Sequence, residues 1–515
     1  MKYKTAINLV ILPFISLLSI FGQESKAVSA RIYNVKDFGA KGDGRAFDSP
    51  SISKAIDAAS SAGGGTVFFP AGTYICGSVQ LKSNISLYLD QGSIIEASSD
   101  TSAYNKPENN PWDAYQDFGH SHWHNSLLWG EDIHDISILG PGLIYGKGLT
   151  RSLRRDSLPL SLGNKSIALK NCHNVILRDF SILKGGHFGM LLTGVDNLTI
   201  DNLKIDTNRD GMDIDCCSNV RVSNCSVNSP WDDGICLKSC YALGYNRPTR
   251  NVTITNCYVT GGLELGSLLD GTFKRAVPPY QVNRTGRIKL GTESNGGFKN
   301  ITISNCVFED CQGLALETVD GGYLEDISVS NITMRDIVNA PIFLRLGSRM
   351  RAPQGTLPGA LRRVNISDVV VYNATPKTGS EICGIPGNCI EDVHLNNILI
   401  YHQGGGTVDQ ASVIPPEKAD AYPEPGMFGT MPAYGFSIRH VKNIELNNVE
   451  VKCLKDDLRP AFWLNDVDGA GFQNVKVQRT GSSPVFKLKD VENFYTHQVR
   501  NIPDVIVEKT NSREL

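Results

Sequence analysis

From residue 174 onward the chain alternates apolar and polar residues in short bursts, and the bursts repeat. "NVILRDF" at 174 is followed by "NLTIDNL" at 197, "NVRVSNC" at 219, "NVTITNC" at 251, "NITISNC" at 300 and "DISVSNI" at 326. Weaker copies are "RVNISDV" at 363, "DVHLNNI" at 392 and "NIELNNV" at 443. The shortest separations are 22, 23 and 26 residues. A period of two in β-branched residues predicts strands. The Asn and Gly residues at their borders tolerate left-handed turns. One such strand cannot bury its face alone, whereas a parallel stack with rungs about 4.8 Å apart can. Stacking would turn the repeated Asn into a ladder and the Val, Ile and Leu into buried columns. The expected fold class is therefore all-β, a right-handed single-stranded parallel β-helix. A propeller would need antiparallel blades with hairpin turns, and no regular "NG" or "DG" pairs separate these strands.

The pattern changes at both ends and at two places between. "DSPSISKAIDAASSAGGGTVFF", from residue 48, sets Ile52, Ala55, Ile56 and Ala59 at helical spacing before a Gly run. It predicts an N-terminal helix capping the first rung, with rungs from about residue 65 to 490. Segments 240–285 and 403–433 interrupt the repeat, the second being rich in Pro and Gly. In a solenoid such insertions are loops on one face, often the binding face. Residues 31–515 thus read as a single β-helix domain. Before it, "MKYK", an apolar run broken by Pro13 and the small residues "AVSA" at 27–30 read as a signal peptide, residues 1–30, cleaved between 22 and 30. The expectation is an exported protein, periplasmic or extracellular, without membrane insertion, since no later run is apolar enough to span a bilayer.

Composition narrows the ligand. A hydrophobic share of 41% in 515 residues suffices for a large core. A net charge of -3 offers no basic field to nucleic acid, so an acidic ligand would have to meet local positive charge. Of thirteen Cys, Cys172, Cys225, Cys257 and Cys306 follow Asn in the repeats and read as packing thiols. Cys383 and Cys389 flank a tight "GIPGN" loop and are the best-placed pair for a disulfide. No spacing of Cys and His indicates a metal site. Neither a metal nor another cofactor is expected.

The chemistry lies in acids set at the repeat spacing. "NRDGMDID" holds Asn208, Arg209, Asp210 and Asp213, and "WDDGICLK" holds Asp232, Asp233 and Lys238. Asp232 follows Asp210 by 22 residues, the separation of the strands at 197 and 219, which places the three acids on adjacent rungs of one face. "GRIKLGTESNGG" adds Arg287, Lys289 and Glu293 on the next rung or one beyond. Asp beside Gly is common in turns, but turns explain three coincident motifs poorly. Clustered carboxylates raise one another's pKa, which suits acid catalysis. His187 lies one rung before Asp210. In "FGHSHWHNSLLWG", His120, His122 and His124 alternate, so a metal is conceivable there, although a loop whose Trp123 stacks on a sugar fits better. Asp320, Arg345, Arg349, Arg439 and His440 are further candidates at the rim.

"NRDGMD", "WDDGICLK" and "GRIK" resemble the Asn-Thr-Asp, Asp-Asp and Arg-Ile-Lys signatures of glycoside hydrolase family 28, the polygalacturonases and rhamnogalacturonan hydrolases. "YNVKDFGAKGDG", "GGGTVFFPAGTY" and "LLWGEDIHDISILGPGLIYGKG" resemble the family's opening strands, so the resemblance covers roughly residues 31–490. It implies a pectin-lyase-like solenoid and an exported, inverting hydrolase of a uronic-acid-containing pectic polysaccharide (homogalacturonan or rhamnogalacturonan), acting as a monomer on an oligo- or polysaccharide. It also implies Asp232 as the general acid, and Asp210 and Asp233 as the groups that hold and deprotonate water. Inverting pairs ordinarily stand roughly 6.5–9.5 Å apart. Arg287 and Lys289 would bind a sugar carboxylate, and Asn208, Lys238, Glu293, His187 and Asp320 are candidates for further substrate contacts. Two departures stand out. Arg209 replaces the family's Thr, and Gly261 stands where the Gly-His-Gly histidine belongs, with Glu264, Asp270 or Lys274 as replacements nearby. A Ca²⁺-dependent lyase on the same fold and a non-catalytic carbohydrate-binding β-helix are the competing readings.

Overall fold

The computed structural model describes residues 31–150, 163–278 and 282–515. The expected signal peptide, residues 1–30, lies outside them. No helix among the described residues is long and apolar enough to cross a membrane.

The strands stack in parallel, and the repeated motifs sit in register as the spacing requires. His173–Arg178 pairs with Asp196–Asp201, that strand with Ser218–Ser223, and that in turn with Thr249–Thr255. Asn174, Asn197, Asn219, Asn251 and Asn300 begin successive copies, each with φ between 53° and 58°. That left-handed backbone is tolerated by Asn better than by most residues. Their side chains form the expected ladder: Asn197 donates to Asn174 at 3.0 Å, Asn219 to Asn197 at 3.3 Å, Asn251 to Asn219 at 3.0 Å and Asn300 to Asn251 at 2.9 Å. Inside, Leu198, Val220, Val252 and Ile301 make one fully buried column, and burying such a side chain contributes about 1.5–3 kcal/mol.

The capping helix spans Ser49–Ser61, with Ile52, Ala55, Ile56 and Ala59 buried as the spacing predicts. Gly64 follows it at φ 121°, where a Cβ would lie 2.5 Å from the Asn84 carbonyl oxygen, so only Gly fits that crossing. At the other end Val505–Glu514 folds back antiparallel on Phe486–His497. The repeat gave no sign of this closing strand.

One sheet positions the site. Its strands are Phe188–Thr193, Asp210–Asp215, Ile235–Ser239, Ile288–Ser294, Leu314–Thr318, Ile342–Leu346 and Ser380–Cys383. Every residue in them is buried. One face packs the interior of the solenoid. The other is covered in part by the insertion 403–433, whose Phe428 and Met431 pack on Ala315, Phe343 and Cys383. Cys383 and Cys389 are both free thiols, which corrects the expected disulfide: Cys383 is a packing residue under the insertion.

Candidate active site

On this sheet Phe188 stands beside Asp210 and Asp213 beside Cys236, which stands beside Lys289. Residues more than fifty positions apart therefore become neighbours. One carboxylate oxygen from each of Asp210, Asp232 and Asp233 lies within 4.8 Å of the others. This is tighter than the 6.5–9.5 Å spacing expected of an inverting pair. The three differ in access. The Asp232 side chain is 26% exposed, against 4% for Asp210 and 3% for Asp233.

Their surroundings separate them electrically. Burial, with Asp232 and Asp213 beside it, pushes the Asp210 carboxyl well above the usual range. Burial also raises Asp232, against the pull of Arg209 and with the help of Asp233. For Asp233 burial acts in the same direction, but Lys289, Arg287 and Lys238 outweigh it and hold the group below its ordinary value. Arg287 Nε donates to Asp233 Oδ1 at 2.9 Å, and Lys289 Nζ is 3.5 Å from Oδ2. One carboxylate is thus held below its ordinary value beside two that are raised above theirs, a division that suits acid and base roles.

The cleft above them encloses about 240 Å³, below the usual range for drug-sized ligands. Asp117, Phe118, His120, His187, Arg209 and Tyr422 line it together with the three aspartates and Lys238. His187 thus sits where its place one rung before Asp210 predicts, packed edge-on to Phe118 and Phe188. His120 Nε2 meets Asp213 at 3.0 Å. Lys238 Nζ donates to Glu293 at 3.0 Å in a buried ion pair, of which Lys238 lines the cleft and Glu293 does not. The Asn208 carbonyl accepts the Trp231 N–H and shapes the turn that carries Asp232.

Other candidates stand elsewhere. Arg287 and Lys289 do not face the open cleft: both side chains are 1% exposed, and Glu424 from the insertion sits on the pair. Asp320 is fully buried and does not line the cleft, accepting from Arg349 Nε at 3.1 Å. Arg345 and Arg439 are not at the rim. They hold the insertion, donating to the carbonyls of Glu417 and Lys418 and of Pro415 and Pro416. His440 bridges Glu417 and Asp466.

The three alternating histidines diverge. His122 accompanies Asp113, and His124 pairs with Glu131 at 2.7 Å. Trp123 is fully buried, with its indole N–H donated to Thr193 Oγ1 at 3.0 Å and Lys170 over its ring. It is a core residue, not a sugar platform. Gly261 has no room for a side chain, since a Cβ there would lie 2.6 Å from the Arg284 backbone carbon. The returning arm of the 240–285 insertion occupies the histidine's place, and Glu264, Asp270 and Lys274 do not line the cleft.

Among the described residues two clusters have metal-like spacing. The aspartate trio already carries Arg209, Arg287 and Lys289 as counter-charges, which a divalent cation would have to oppose. At Asp215, Cys216 and Cys240, both thiols donate to the carboxylate, and burial pushes Cys216 up to about 11. Protonated thiols are poor ligands, and this cluster is a buried hydrogen-bond network. Sequence reasoning missed Asp117, Tyr422 and Glu424. For the last two the one signal was their place in an insertion expected on the binding face.

The description "Rhamnogalacturonase A/epimerase, pectate lyase-like" matches residues 32–117, and "Right handed beta helix region" matches residues 165–352. A probable polygalacturonase of Vitis vinifera is 26% identical over 403 residues, 73% of this chain and 76% of that protein. A polygalacturonase of Persea americana is 25% identical over 396 residues, 72% and 74% of the two chains. Among solved structures, the family 28 exopolygalacturonase of Yersinia enterocolitica superposes with a TM-score of 0.64 at 20% identity, over 86% of this chain and 78% of that one. A hyperthermoactive exopolygalacturonase of Thermotoga maritima gives 0.55 at 18% identity, covering 94% and 95%.

Proposed function

Since the chain is a homologue of the polygalacturonases, we propose that it is an exported glycoside hydrolase that cleaves a pectic polysaccharide with inversion. The observation that carries the reading is the trio itself: three carboxyls on two adjacent rungs, one held ionised and two shifted toward the protonated form. Asp210 and Asp232 stand close enough for their titrations to be coupled, the pair carrying one proton in the active form. Asp232, the more exposed, delivers it to the leaving sugar oxygen. Asp210 is then left ionised beside Asp233. A water with contacts of about 2.8 Å fits between carboxylate oxygens within 4.8 Å of each other. The tight spacing therefore suits a water held by Asp210 and Asp233 together, with the sugar above the trio rather than between its members. Asp233, its charge fixed by Arg287 and Lys289, accepts the water's proton. The water oxygen bonds to the anomeric carbon as the bond to the leaving oxygen breaks.

The lyase alternative would place a cation among the aspartates, where guanidinium and ammonium groups already stand. The test is product analysis on pectic polymers with purified protein. Saturated reducing ends, released as the inverted anomer and insensitive to chelator, support the reading. An unsaturated product absorbing in the ultraviolet would overturn it. The export part is tested by the N-terminus of the mature chain, expected between residues 22 and 31.

A further inference from the structure

The cation pair that a uronate would seek is already occupied. Glu424 ion-pairs with Arg287 and stands 3.4 Å from Lys289 Nζ, while Asp233 takes the other side of both. Two cations thus face two carboxylates. A third acid, Glu317, lies 3.6 Å from Lys289, but burial pushes it up to about 8, so it is largely protonated at neutral pH. No unbalanced positive charge remains there. The cleft is no more welcoming to an anion: Asp117, Asp210, Asp232 and Asp233 line it against Arg209 and Lys238.

Glu424 is also built in. Arg345 and Arg439, both buried, hold the carbonyls of residues 415–418. The Ser348 N–H holds the Ala419 carbonyl at 2.7 Å, and buried Arg459 holds that of Met431 at 3.1 Å. Between these anchors Tyr422 lays its ring over Lys289 at 5.5 Å and Arg349 at 5.6 Å. The Glu424 side chain keeps 32% exposure next to Tyr422, which lines the cleft, so solvent reaches its carboxylate.

We propose that Glu424 is a specificity-determining residue: it sets the chain's own carboxylate on Arg287 and Lys289, so that the sugar seated at the cleavage point is a neutral hexose or deoxyhexose, not a uronate. This rests on the hydrolase reading for the bond that is cut, while uronates elsewhere along the pectic chain are unaffected. Removing Glu424 leaves one net positive charge, and the pocket becomes a receptor for a sugar carboxylate.

The experiment compares wild type, Glu424→Gln and Glu424→Ala. Calorimetry with the methyl glycosides of galactose and galacturonic acid reads the pocket without turnover, and galacturonan against a pectic polymer with alternating neutral deoxyhexose reads kcat and KM. Wild type should bind the neutral glycoside at least as well as the acidic one and prefer the alternating polymer. Both variants should shift the ratio toward the uronate by about tenfold or more, the scale of a charge-assisted hydrogen bond, chiefly through KM. Glu424→Gln keeps the side-chain shape, so a folding defect in Glu424→Ala leaves the test intact. An unchanged ratio in the variants, or a wild type that already favours galacturonate, overturns the inference. A shifted binding ratio with no cleavage of either polymer would support the role of Glu424 and sink the hydrolase reading.

Discussion

The Arg209 guanidinium is held against the carboxylate of Asp232 one rung away and makes a second contact, at 3.6 Å, with Asp210. Arg209 stands where the Asn-Thr-Asp signature that this stretch resembles has Thr, and it places a fixed cation beside Asp232. The cation favours ionised Asp232 against the upward push of burial. An acid catalyst works only below its pKa, and Arg209 therefore limits activity on the alkaline side. Arg209→Gln should raise the Asp232 pKa and move the alkaline limb of the kcat/KM profile to higher pH. A pH–rate series checks this, and an unmoved limb would separate Asp232 from the acid role.

Asp232→Asn should reduce kcat by about 10²–10⁴-fold, the worth of a positioned proton donor. Asp233→Asn and Asp210→Asn should do comparable damage by removing the groups that hold and deprotonate water. Release of reducing ends measures all three, with circular dichroism to confirm the fold. More than about a tenth of wild-type activity in Asp232→Asn would move the acid elsewhere, with His187 and His120 next in reach.

Restoring the missing histidine should fail. In Gly261→His the new Cβ meets the Arg284 and Thr285 backbone within 3 Å, and overpacking of this kind costs about 1–3 kcal/mol or more. The variant should lose thermal stability and gain no activity. A gain in kcat would mean that the insertion can yield its place.

The ladder should matter for stability alone. Asn219 donates to Asn197, accepts from Asn251 and sits at φ 58°. Asn219→Ala loses both bonds and puts an ordinary side chain in a left-handed backbone, together about 1–3 kcal/mol. Equilibrium denaturation should show this loss with kcat unchanged, and Asn219→Gly should fall between the two.

Much of the fold was legible because its determinants are local and repeated. An Asn or Asp at the corner of most turns of the solenoid, followed by alternating β-branched residues, dictates both the left-handed corner and the inward column. Asp210 and Asp232 were found by the same ruler, since a separation equal to the rung length places two residues side by side. What escaped had no period. Trp123 was expected to stack on sugar, but nothing in a loop sequence tells whether an indole turns outward or onto Thr193. Arg287 and Lys289 were legible as a cation pair, but not as an occupied one, because their partner Glu424 is 137 and 135 positions away, in a segment without repeat. The closing strand Val505–Glu514 was missed because its pairing is antiparallel and follows no repeat.

That distance from Arg287 to Glu424 also orders events during synthesis. A chain emerging from its N-terminus meets residues 210, 232 and 287 first, and neighbouring rungs of a solenoid can pair before later ones exist. The aspartates and their cations can therefore assemble on a half-made molecule whose groove is still open and locally positive. Only when residues 415–431 arrive and are gripped from the later rungs does the last carboxylate drop into place. On the role proposed for Glu424, the choice of sugar is then set later in synthesis than the carboxyls that cut the bond, and before the closing strand is made.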